Sequence, residues 1–159
     1  GRFLDAPAIL LDNQTRASRP GIRVYRVFQP ATGSAPLLVE LGWLPLPGDR
    51  RMPSVALPSG EVAVAGLLVA PPSAGIATPV ASPQADGNLL MIGLDQAVLS
   101  KALDMPTLAP RVLKLDPSLP LGYARDLTSC PTRCRRSATS VTPCSGLAWP
   151  SQCSSPRCC

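Results

Sequence analysis

The chain contains no histidine. That removes the usual general base, the usual haem ligand and the commonest zinc ligand. No glycine-rich phosphate loop is present, and no serine sits in a nucleophile-elbow context. Asp12, Glu40 and Asp49 are carboxylates whose spacing pairs none of them, and they read as turn and strand-end residues. No catalytic, cofactor-binding or metal-ligating residue is therefore expected, and catalysis is not expected either. Aromatic residues make up only 4% of the chain, so a core must be built from Leu, Val, Ala and Ile. Long hydrophobic runs are also missing. The longest, Val62 to Ala70, is interrupted by Gly66 and ends at Pro71-Pro72, too short to span a bilayer. There is no signal-peptide pattern and no initiator Met. The expectation is a soluble chain, or a piece of a protein whose anchors lie outside it.

Proline is what the chain has in excess, with 20 residues spread along 159. That disfavours long helices and favours short strands joined by stiff turns. Phe3 to Leu11 reads as an edge strand containing Pro7, followed by a turn at Asp12-Asn13. Arg16 to Gly21 reads as a polar loop. Ile22 to Phe28 is rich in β-branched and aromatic residues and reads as a strand stopped by Pro30. Leu37 to Leu41 reads as a buried strand that reaches Gly42-Trp43 and breaks on Pro45 and Pro47. Trp43 is expected in the core at the end of that strand. The short connection predicts an antiparallel pair.

A third strand is predicted over Glu61 to Val69, with Gly66 marking a bulge or a close backbone approach. Pro71 to Gln84 reads as a long loop. Leu89 to Ile92 and Arg111 to Leu115 read as short strands. One helix is predicted, Gln96 to Leu103, capped by Asp95 and ended by Pro106. Val98, Leu99, Ala102 and Leu103 share one of its faces. The expected class is mainly β (α+β), an antiparallel, barrel-like sheet with one packed helix.

The net charge of +5 is uneven. Before Thr128, eleven basic residues face ten acids; Arg133, Arg135, Arg136 and Arg157 lie in an acid-free tail. A body this balanced predicts no nucleic-acid partner. All six cysteines, Cys130, Cys134, Cys144, Cys153, Cys158 and Cys159, also fall in that tail. An even count in a Pro- and Ser-rich segment fits a disulfide module, and Cys130 with Cys134 could open a metal site. A third reading is favoured. With GC-rich synonymous codons, reading from the last base of the Ser129 codon produces HLGYAVQWF followed by a long apolar run, a membrane-helix pattern. The expected organisation is a body over 1–127 and a disordered, frameshifted tail over 128–159.

Four ordered stretches of the body, and one out-of-frame stretch of the tail, carry a resemblance. They are Gly1 to Phe3 with Asp12-Asn13; Gly21 to Pro30, GIRVYRVFQP; Leu38 to Pro45, LVELGWLP; Gly60 to Leu67; and the out-of-frame HLGYAVQWF. In their order and spacing they resemble the Surfeit locus protein 1 family, accessory factors for the assembly of haem–copper cytochrome c oxidase. The residues that match its signatures are Asp12, Asn13, Gly21, Pro30, Gly42, Trp43 and Pro45. The resemblance implies a non-enzymatic, chaperone-like domain between two membrane helices, on the periplasmic side of a bacterial inner membrane. It implies a role in delivering or inserting haem a, with the oxidase catalytic subunit and other assembly factors as partners. The family's haem-handling histidine would lie on the C-terminal helix, so no cofactor is expected on this chain itself. Glu40-Leu41 stands where the family has an Asn-Arg pair. The alternative class is a secreted, disulfide-stabilised binding module.

Overall fold

A computed structural model describes residues 1–73, 75 and 78–125. Eight strands and one helix form in the order β1 (Arg2–Phe3), β2 (Ile9–Arg16), β3 (Arg19–Gln29), β4 (Leu37–Pro45), β5 (Gly66–Val69), β6 (Ser82–Pro83), β7 (Leu89–Met91), α1 (Gln96–Ala102) and β8 (Val112–Leu115). The class is mainly β with one helix, as the sequence predicts. The strands form one sheet in the order β5-β8-β4-β3-β2-β7-β6, with β1 on the far end of β3. Two details differ from expectation. The sheet is mixed, because β2–β7 and β4–β8 are parallel. It is also open, because β5 and β6 end the order without meeting. Short connections join β2 to β3, β3 to β4 and β6 to β7, and those pairs are antiparallel. The partners in each parallel pair, β2 with β7 and β4 with β8, are far apart along the chain, as a parallel pair needs.

Both faces of the sheet are buried, and side chains alternate between them. One face presents Ile9, Leu11, Tyr25, Val27, Leu38 and Val112 to α1, which contributes Leu99, with Leu103 just beyond it. The other presents Leu10, Ile22, Val24, Phe28, Val39, Leu41 and Leu115. Among the described residues no helix covers this second face. The proline-rich segment 46–65 lies over it instead, inserting Met52, Val55, Val62 and Val64. Of the strand predicted over Glu61 to Val69, only Gly66–Val69 pairs as one; before it, half-buried Val62 and Val64 alternate with exposed neighbours. At Gly66 the backbone runs against the Lys114 carbonyl, and a Cβ would sit 1.9 Å from that oxygen. Arg26 pins the covering to the sheet: its guanidinium donates to the Ala6 carbonyl (Nη1, 3.0 Å) and the Val55 carbonyl (Nη2, 3.0 Å). Burial pushes that guanidinium below its ordinary range.

The helix forms where predicted. The Asp95 carboxylate accepts from the Val98 N–H at 3.0 Å, which caps its N-terminus. Its C-terminus closes when Asp104 turns left-handed (φ 53°), so that the Met105 N–H reaches the Ser100 carbonyl at 2.8 Å. Leu99 and Leu103 are buried and Val98 packs on them, but Ala102 is exposed. The helix is only seven residues long, so packing of these leucines, rather than propensity, holds it.

Candidate functional site

Six of the seven signature residues converge on one end of the β2–β3–β4 ladder. Gly21 on β3 pairs with Gln14 on β2 and Pro45 on β4, Arg23 pairs with Trp43, and Val24 pairs with Gly42. Asp12 and Asn13 occupy a bulge in β2 between Leu11 and Gln14. Asn13 is left-handed there (φ 59°), and the Asp12 carboxylate accepts from its N–H at 2.7 Å. The turn predicted at these two residues is thus a bulge inside a continuing strand. Pro30 does not join the group; it follows the opposite end of β3.

Trp43 is the centre of this end. It is half-buried rather than a core residue. Its indole Nε1–H donates to the Gln14 carbonyl at 3.1 Å, and the Arg16 guanidinium lies 5.9 Å from its ring centroid. The ring lies across Gly21, where a Cβ would come within 2.4 Å of Trp43 Cε2. Glycine at position 21 is a steric requirement of the tryptophan ring and of the Leu44 carbonyl oxygen, which a Cβ would also meet at 2.4 Å. Gly42 has φ 126°, and a Cβ there would meet the Ala124 carbonyl oxygen at 2.9 Å. The close approach lets segment 123–124 pair with β4 beyond β8: the Trp43 N–H donates to Ala124 (2.8 Å) and the Tyr123 N–H to Leu41 (2.7 Å).

Beside Trp43 a polar cleft of about 230 Å³ is lined by Thr15, Arg16, Arg23, Glu40, Trp43, Lys114, Ala124 and Arg125. Its floor is one row across three strands, Tyr25–Glu40–Lys114. The Tyr25 hydroxyl donates to Glu40 Oε2 at 3.3 Å, and Arg23 Nη1 lies 3.9 Å from the same oxygen. Burial, reinforced by the Glu40 charge, pushes the Tyr25 phenol far above its ordinary range. Arg125 donates from both terminal nitrogens to the Leu121 and Leu119 carbonyls. A broader depression continues past Arg16, Ala17, Arg19 and Trp43. A neighbouring hollow of about 380 Å³ contains Asp12, Asn13, Gly21 and Arg50, with Arg50 and Asp12 3.5 Å apart.

Sequence reasoning singled out the signature residues but not the charged residues beside them. Arg16, Arg23, Lys114 and Arg125 come from three strands and a late segment, and only the paired sheet assembles them. Glu40, read as a strand-end carboxylate, is buried in the row, while its neighbour Leu41 faces the opposite core. Among the described residues no group of three His, Cys, Asp or Glu side chains comes together. No helix among them is long and apolar enough to cross a membrane. The six cysteines, the disulfide and metal readings, the predicted disorder and the frameshift all fall on 128–159, outside the described residues.

The chain matches no curated protein and no solved structure. A family model does match, that of the SURF1 family, over residues 1–145. That span holds the whole described sheet and every signature residue. The chain belongs to the SURF1 family, a family of membrane-associated factors for cytochrome c oxidase assembly.

Proposed function

We propose that this chain is the non-catalytic, extracytoplasmic body of an assembly factor that helps deliver or insert haem a into the catalytic subunit of cytochrome c oxidase. Its place is the periplasmic side of a bacterial inner membrane. The observation that carries the reading is the family match over 1–145, whose signature residues gather on one end of one sheet. The body acts by shape and contact. It has no histidine to ligate haem iron, and its cysteines are confined to the tail. Haem a is cargo in this reading, and an axial nitrogen for its iron must come from outside this chain. The oxidase catalytic subunit and other assembly factors are the partners that the reading requires.

The test is haem a content per oxidase in a bacterium whose own family member has been deleted. The gene is supplied with its upstream codons and with the frame after Ser129 restored. The expected result is recovery of haem a and of oxidase activity. Unchanged haem a, with the protein present in the membrane fraction, overturns the reading.

A further inference from the structure

The body is nearly neutral in sum, yet nearly half of its cations gather at one place. Five of its eleven cations, Arg16, Arg19, Arg23, Lys114 and Arg125, line the polar cleft and the depression that continues it. The one acid among them, Glu40, is buried on the floor. Asp12, in the neighbouring hollow, is held 3.5 Å from Arg50, and Asp95 and Asp104 lie at the two ends of α1. Trp43 sits between the two concavities with its polar edge satisfied by Gln14. One strand beyond Lys114, its register partner Leu67 on the sheet edge is 45% exposed. A field of cations around a half-buried tryptophan, bordered by an exposed leucine, is the composition of a surface that rests on anionic headgroups.

We infer that this end of the sheet docks flat on an anionic phospholipid bilayer, with Trp43 at the headgroup level. Arg16 and Arg19 flank the tip of the β2–β3 hairpin and lead the contact, while Arg23, Lys114 and Arg125 follow behind. A membrane fits better than a soluble anion because the cations are spread over two open concavities, not focused on one enclosed point. The inference fixes the orientation of the domain and does not rest on the haem a reading; either can fail while the other holds.

The test uses the full chain with Trp149→Phe, so that Trp43 is the sole tryptophan. Vesicles of phosphatidylglycerol in phosphatidylcholine are expected to shift Trp43 emission to the blue, and brominated acyl chains to quench it. Pure phosphatidylcholine vesicles are expected to do neither. Arg16→Gln with Arg19→Gln should weaken vesicle binding about thirty-fold, about five-fold per charge removed. Lys101→Gln with Arg111→Gln removes the same charge elsewhere and should weaken it far less. Binding with no change in Trp43 emission overturns the inference, since the arginine-rich tail is then the contact. Equal losses from the two pairs of substitutions also overturn it. So does the same emission shift from inorganic phosphate without vesicles, which identifies a soluble-anion site.

Discussion

The two ends of the β3–β4 ladder are built from the same strands and behave as opposites. At the Gln29 end, Phe3 and Phe28 meet edge to face with ring centroids 5.1 Å apart, and Gly1 closes over them. Apolar contact holds that end. At the Trp43 end, a bulge in β4 separates Glu40 from Gly42, glycine replaces side chains, and charge lines the surface. One face of the sheet therefore passes from a dry leucine core under α1 to a wet cleft within two rows. The difference shows that alternation sets which side chains share a face, whereas bulges and glycines set where that face stops being core.

Three substitutions test this contrast, each followed by chemical denaturation, with Trp43 emission read in the Trp149→Phe background. Phe28→Ala, at 4% exposure, should cost about 4 kcal/mol and leave Trp43 emission of the folded protein unchanged. Gly21→Ala should cost about 3 kcal/mol and shift that emission to the red, because the new Cβ displaces the indole. Gly33→Ala, also a glycine but with open space around it, should cost only about 1 kcal/mol and shift nothing. If Phe28→Ala moves the tryptophan as much as Gly21→Ala does, the two ends are not separable.

Tyr25→Phe comes next. It removes a buried donor to Glu40 and should cost about 1.5 kcal/mol at neutral pH. Its pH dependence is more specific. The folded protein holds the phenolic proton well above the ordinary value of 10.0. The stability from this group is therefore complete below about pH 10 and is lost as pH rises above it, by up to about 1.4 kcal/mol per pH unit. Tyr25→Phe should flatten that fall. An identical alkaline slope in both proteins refutes a buried, protonated Tyr25. The smallest effect is a gain. Ala17 and Ser18, at the hairpin tip, both have positive φ (48° and 60°), which β-carbons disfavour. Ala17→Asn with Ser18→Gly should stabilise by about 1 kcal/mol, because an Asn-Gly pair suits this turn. A loss of stability would show that the tip contacts something through these side chains.

Much of the local structure was legible. The helix was readable to within a residue, because its cap, its apolar spacing and its stop are all local. Leu37 to Leu41 was readable as a buried strand because its positions from Leu38 onward are excluded from water on both faces. Other elements misled for physical reasons. Asp12-Asn13 carries turn chemistry, yet the strand resumes after them because β3 is there to pair with. Trp43 reads as core by composition, but Gly21 gives its ring a place on the surface of the ladder. The parallel pairs and the open edge were not legible, since pairing across dozens of residues leaves no local period. The charged cleft was hidden for the same reason.

What the chain order settles is therefore what short-range chemistry can encode. It sets which segments extend, where proline stops them and where the helix begins, and it carries the match to the SURF1 family. Which cations share a surface, why Gly21 and Gly42 must be glycine, and which end of the sheet is wet were decided only by tertiary pairing. Each of those depends on distances between residues remote in sequence, and only the folded sheet sets them.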